Sequence, residues 1–74
     1  MLYFCGMMQK SFLTEFRASL GISQVEFGQW LAQRLERERA YTGSEVSNWE
    51  TGARGIPYAV QAAVYRDLYL QLKT

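Results

Sequence analysis

Seventy-four residues, 49% of them hydrophobic and including five Tyr, four Phe and two Trp, suffice for one domain with a compact core and are too apolar for a disordered tail. The chain has no histidine and one cysteine, Cys5, which excludes an internal disulfide, a Cys/His zinc site and histidine acid–base chemistry; neither a cofactor nor an enzyme is expected. Net charge is only +1, so attraction to nucleic acid would have to come from where individual arginines point.

The opening MLYFCGMM, residues 1–8, is a short N-terminal segment ahead of a single domain over 9–74. It lacks a preceding basic region and is far shorter than the roughly 20 residues of a membrane span, so neither export signal nor anchor is expected and the protein reads as cytoplasmic. MLYFCG could be a small added strand, an apolar patch or an artefact of the assigned start, with Met7 and Met8 as alternative starts.

Phe12, Leu13, Phe16 and Leu20 recur at helical spacing and stop at Gly21, which predicts a first helix over about 9–20. Ser23 then offers an N-cap hydroxyl, Glu26 completes a capping box and Ile22 with Phe27 forms a hydrophobic staple. The device recurs with Thr42 as cap, Glu45 as box partner and Tyr41 with Val46 as staple; losing either cap should cost about 1 kcal/mol. The second helix starts at Gln24 or Val25, turns Phe27, Trp30, Leu31 and Leu35 inward, and carries RLERER toward Ala40. A short third helix over about 43–50 points Val46 and Trp49 to the core and leaves Ser44, Ser47 and Asn48 on other faces. Threonine, glycine and serine are poor interior helix residues, so this outer face looks chosen for something other than helix stability. Pro57 suits the first position of a long helix reaching about Leu72. That helix has two apolar stripes: Val60, Val64 and Leu68 on one side, Tyr58, Ala62, Tyr65, Tyr69 and Leu72 on the other, where a second protomer could cover them.

These elements make an all-α chain, a compact bundle of four to five helices. ISQVEFGQWLA followed by YTGSEVSNWETG resembles the helix-turn-helix of the Xre/Cro/C1 repressor family. The shared features are Ser23-Gln24, the small Gly28, the apolar pair Leu31 and Tyr41, the capped third helix, and Trp49-Glu50-x-Gly52 with Pro57 five residues on. They cover most of residues 12–60, and the resemblance implies a lambda-repressor-like fold. Gly28 is expected where helices two and three cross closely. The departure is the tight turn: about eight extra residues, QRLERERA, follow Ala32, so helix two should run one or two turns longer before a short loop returns to Thr42. PYAVQAAV also resembles small phage and mobile-element regulators, including the anti-CRISPR-associated autorepressors.

The resemblance implies that the third helix enters a major groove of double-stranded DNA with Gly43, Ser44, Ser47 and Asn48 toward the base edges. Asn48 can pair in bidentate fashion with adenine, serine suits donor or acceptor edges, and Gly43 permits close backbone approach. Gln24 matches a phosphate-binding position; Arg54, Thr42 and Thr51 are further phosphate candidates. The alternating charge of LERER reads as a solvated face, or as Arg37 or Arg39 reaching the DNA backbone beside the lengthened turn. Over residues 23–54 four arginines face five glutamates, a net of −1.

The function implied is a sequence-specific transcriptional regulator, a repressor binding a palindromic operator as a homodimer through Tyr58, Ala62, Tyr65, Tyr69 and Leu72. The competing reading is an antitoxin or protein-interaction module whose partner protein sits on the two-faced last helix.

Overall fold

Four helices account for all the secondary structure among residues 8–73, the part of the chain described by the computed structural model: α1 (Lys10–Leu20), α2 (Gln24–Leu35), α3 (Gly43–Thr51) and α4 (Tyr58–Lys73). The starts of α2 and α3 and the ends of the first three helices have local causes. At α2 the Glu26 backbone N–H donates to Ser23 Oγ at 3.1 Å and Ser23 N–H donates to Glu26 Oε1 at 2.8 Å. At α3 Glu45 N–H and Thr42 N–H make the same reciprocal pair at 3.1 and 2.8 Å. Both capping boxes read from the sequence are therefore formed, and each satisfies backbone donors that a helix start leaves without an intrahelical partner. α1 and α3 end at glycines in the left-handed region, Gly21 at φ 70° and Gly52 at φ 88°.

α2 runs one turn past Ala32, the shorter of the two lengths expected, and stops at Glu36 with φ 56° and ψ 42°. Glu36 is the one non-glycine residue with positive φ among the described residues. The reversal is closed by Arg37 N–H, which donates to the Ala32 carbonyl at 2.9 Å. Residues 36–42 then form a loop, so the ERER charges lie on irregular backbone and not on a helix.

Leu13, Phe27, Leu31, Val46, Val60 and Val64 are fully buried, one or two from every helix, and Phe16 and Trp49 complete the core. Burying each such side chain stabilises the fold by about 1.5–3 kcal/mol relative to exposure, so a chain this small depends on all of them. Phe16, Phe27 and Trp30 pack ring to ring, with centroids 5.6 to 6.2 Å apart. Phe12 departs from the expected stripe: it stands 36% exposed and stacks on Tyr65 of α4 at 6.0 Å.

Met8 is also buried, and its backbone N–H donates to Gln61 Oε1 at 3.3 Å. Gln61 Nε2 in turn donates to the Ile56 carbonyl at 2.9 Å, so this buried amide ties the lead-in of α1 to the start of α4. Met8 thus belongs with the core. The expectations for residues 1–7, a strand, a patch or a displaced start, lie outside the described residues.

Gly28 is required by a close approach, but not the one expected. A Cβ there would overlap the backbone carbonyl of Tyr41, the residue just before the α3 cap, whose backbone is the nearest neighbour. No described helix is long and apolar enough to cross a membrane.

Candidate nucleic-acid interface

α3 is held from three directions before any of its outward residues is considered. Val46 and Trp49 enter the core, and the Trp49 ring meets Tyr41 edge-on at 5.0 Å. The third hold is polar. Arg17 of α1 donates through Nε to Glu50 Oε2 at 2.6 Å and through a second nitrogen to Glu50 Oε1 at 3.1 Å. Its remaining terminal nitrogen donates to the Ile22 carbonyl at 3.0 Å, and Gln24 Nε2 of α2 donates to Glu50 Oε1 at 3.0 Å. One carboxylate therefore joins α1, α2 and α3 at a point where its side chain is only 7% exposed.

Burial pushes the Glu50 carboxyl up, but the hydrogen bonds from Arg17 and Gln24, with the Arg17 charge, outweigh it and hold the group below its ordinary value. The hydrogen bond to Glu50 in turn raises Arg17, against the opposing effect of its burial. This network is the main element the sequence reading missed. Its trace in the sequence is a charge where helical spacing calls for an apolar residue: Arg17 lies four residues after Leu13, and Glu50 four after Val46.

With the inner face fixed, the residues nominated for base contact fall as follows. Ser44 is exposed, while Ser47 and Asn48 are half-buried, and none of the three side chains makes a hydrogen bond within the described residues. The Asn48 backbone carbonyl accepts from the N–H groups of Gly52 and Arg54, both at 3.1 Å, so the Asn48 backbone is anchored and its amide is left over. Gly43 lies against α2, where an added Cβ would come 3.0 Å from Val25 Cγ2; its smallness therefore serves helix packing. Asn48 lines a shallow groove of about 220 Å³ together with Tyr41, Glu45, Trp49, Arg54, Gly55 and Pro57.

The phosphate candidates divide. Gln24 is half-buried with one amide hydrogen committed to Glu50, so it reaches outward with less freedom than an exposed amide. The Thr42 hydroxyl oxygen accepts the cap bond and can still donate outward. Thr51 Oγ1 donates to the Asn48 carbonyl at 3.3 Å, so it can donate to a phosphate only by breaking that bond. Arg54 and Arg39 are exposed, and neither guanidinium has a partner among the described residues. Arg37 lies with Cζ 3.8 Å from the centre of the Tyr41 ring. Lys10, not singled out by the sequence, donates from Nζ to the Thr51 carbonyl at 3.4 Å, at the negative end of α3.

On α4 the second apolar stripe is outward: Tyr58 is 74% exposed, Tyr69 60% and Leu72 86%, with Ala62 and Tyr65 exposed between them. Leu70, outside that stripe, is exposed as well and edges a groove of about 440 Å³ with Leu35, Ala63 and the Arg34–Asp67 pair. No family model, curated protein or solved structure matches the chain.

Proposed function

We propose that the chain is a lambda-repressor-like helix-turn-helix regulator that binds a specific sequence in double-stranded DNA, as a homodimer on a palindromic operator, and represses by occupying it. The observation that carries this reading is the outer face of α3. Ser44, Ser47 and Asn48 present small polar groups without internal hydrogen bonds on a helix capped at both ends and tied down through Glu50. Rigid backbone with uncommitted donors and acceptors is what base-edge reading in a major groove requires. Asn48 would read adenine, Ser44 and Ser47 would adapt to their neighbours, and Arg54, Thr42 and Gln24 would set the register on phosphates.

A dimer of this kind needs its two recognition helices about 34 Å apart, one turn of DNA. The exposed Tyr58, Tyr65, Tyr69 and Leu72 supply apolar surface for the seam. The same stripe would serve a protein partner if the chain were an antitoxin, and the two readings part in one experiment.

That experiment is selection from a random-sequence duplex pool with the purified chain at moderate salt. Two inverted half-sites centred about ten to eleven base pairs apart are expected. A folded chain that enriches no sequence overturns the reading and turns attention to a protein partner on α4.

A further inference from the structure

The lengthened turn between α2 and α3 holds an arginine in a fixed place. Arg37 N–H closes the end of α2 on the Ala32 carbonyl at 2.9 Å, which fixes its backbone. Its guanidinium lies 3.8 Å over the Tyr41 ring. Tyr41 is itself immobilised: its carbonyl packs against Gly28 Cα where no side chain fits, and its ring abuts Trp49 edge-on at 5.0 Å. A continuous stack, Arg37 on Tyr41 against Trp49, thus runs from the loop to the core side of α3, next to the Thr42 cap.

The other arginines near aromatic or acidic neighbours differ. Arg17 is bound to Glu50 and the Ile22 carbonyl; Arg34 lies 3.9 Å over Trp30 and also bonds Asp67 at 3.5 Å. The Arg37 side chain is exposed and makes no hydrogen bond or ion pair among the described residues. A guanidinium stacked on a ring keeps its N–H donors in its own plane, directed to the sides, and loses little rotamer freedom when an anion arrives. Glu36 and Glu38 flank Arg37 in sequence, yet neither pairs with its guanidinium among the described residues, and Glu45, just past the platform, has its Oε1 engaged by the cap N–H of Thr42.

We propose that Arg37, stacked on Tyr41, is a phosphate clamp: a bidentate contact to the DNA backbone flanking the groove entered by α3, supplied by the lengthened turn. The proposal rests on the DNA-binding reading above and adds to it a residue that holds affinity without reading sequence. The pre-formed fork loses less conformational freedom on binding than a mobile side chain would, so this one contact contributes more affinity than its single charge alone. Arg39, two residues on and without an aromatic platform among the described contacts, is the natural internal comparison.

The test uses the full chain, the duplex that the wild type selects and a random-sequence duplex of equal length, with binding measured over a range of salt. Arg37→Ala should bind both duplexes about tenfold more weakly at moderate salt and lower the slope of log affinity against log salt by about one, with the selected sequence unchanged. Arg37→Lys should restore the slope but only part of the affinity, since an ammonium keeps the charge and loses the planar fork. Arg39→Ala should change affinity less than Arg37→Ala. Helical circular dichroism and a melting curve confirm that each variant is folded. Unchanged affinity and slope in Arg37→Ala, while the wild type selects a site, overturn the clamp and leave the DNA-binding reading standing. An equal loss in Arg39→Ala overturns the role of the stack. A wild type that binds neither duplex overturns both.

Discussion

α3 and α4 bury their inner faces in the same core, Val46 and Trp49 from one, Val60, Ala63 and Val64 from the other, yet they turn opposite chemistries outward. The outer side of α3 carries Ser44, Ser47 and Asn48, while that of α4 carries Tyr58, Tyr65, Tyr69 and Leu72. Neither outer face adds much to the stability of an isolated protomer. Serine and asparagine are mediocre helix formers, and exposed tyrosine and leucine leave apolar area in water. On the proposed reading the difference separates two tasks: hydrogen bonding to base edges on one helix, burial against an apolar surface on the other. Between them, the Arg17–Glu50–Gln24 network and the Gly28–Tyr41 approach keep α3 in place while its outer side remains uncommitted.

The most damaging change to this division should be Gly28→Ala. The new Cβ has to displace the Tyr41 carbonyl, which is backbone and cannot swing aside, so the α3 cap and the Tyr41–Trp49 contact move with it. A loss of about 3 kcal/mol is expected from overpacking at a backbone contact, read as a fall in denaturant midpoint. Wild-type stability in this variant would mean that α2 and the residue before α3 do not approach as described.

Glu50→Gln comes next. It keeps the shape but removes the charge that Arg17 and Gln24 share, and should cost about 2 kcal/mol near neutral pH, within the range for charge-assisted hydrogen bonds. The pH dependence has a definite sign. Glu50 is held below its ordinary value of 4.5, so the unfolded chain takes up this proton more readily than the folded one. Its contribution is full above about pH 4.5 and is lost as pH falls through the lowered value. Unfolding of the Gln variant should therefore vary less with pH across that acid window than unfolding of the wild type; parallel curves would remove Glu50 as the source.

The outer faces are tested separately. Tyr65→Asp places a charge in the α4 stripe and should weaken self-association at least roughly tenfold by sedimentation while helical content holds, because an unpaired charge in an apolar seam is strongly disfavoured. A dimer of unchanged strength would move the seam off this face. Asn48→Ala should leave fold and association intact and lose about 1–3 kcal/mol at its cognate base pair, relaxing selection at that position alone. Equal losses on selected and random duplexes would assign Asn48 to the backbone instead.

How much of this was legible beforehand depends on how far apart the interacting residues lie in the chain. The capping boxes at Ser23 and Thr42, the glycine stops and the inward Val46 and Trp49 are encoded within a few residues, and the helices form where those signals fall. The outward α4 stripe followed from periodicity alone. The Glu50 hub was not visible, because its partners Arg17 and Gln24 lie 33 and 26 residues away and only tertiary packing brings them together. Phe12 satisfied the apolar period of α1 and still ended half outside, because Tyr65 offered it a ring on the surface. The partner of Gly28 was missed by a small margin: spacing indicates that a close approach exists, not whether helix or lead-in backbone makes it.

The smallest expected effect concerns the end of α2, where the lengthened turn begins. α1 and α3 stop at glycines, but α2 stops at Glu36 with φ 56°, a conformation in which an L side chain crowds the following carbonyl. Glu36→Gly removes that strain, which is worth about 1 kcal/mol, but also gives the unfolded chain more freedom, so a net gain of about 0.5 kcal/mol is expected. The gain should appear as slower unfolding or a higher midpoint, with DNA affinity unchanged if the Arg37 N–H still closes on Ala32. A stabilised variant that binds DNA more weakly would show that the strained carboxylate residue, and not the stack alone, sets the direction in which Arg37 leaves the helix.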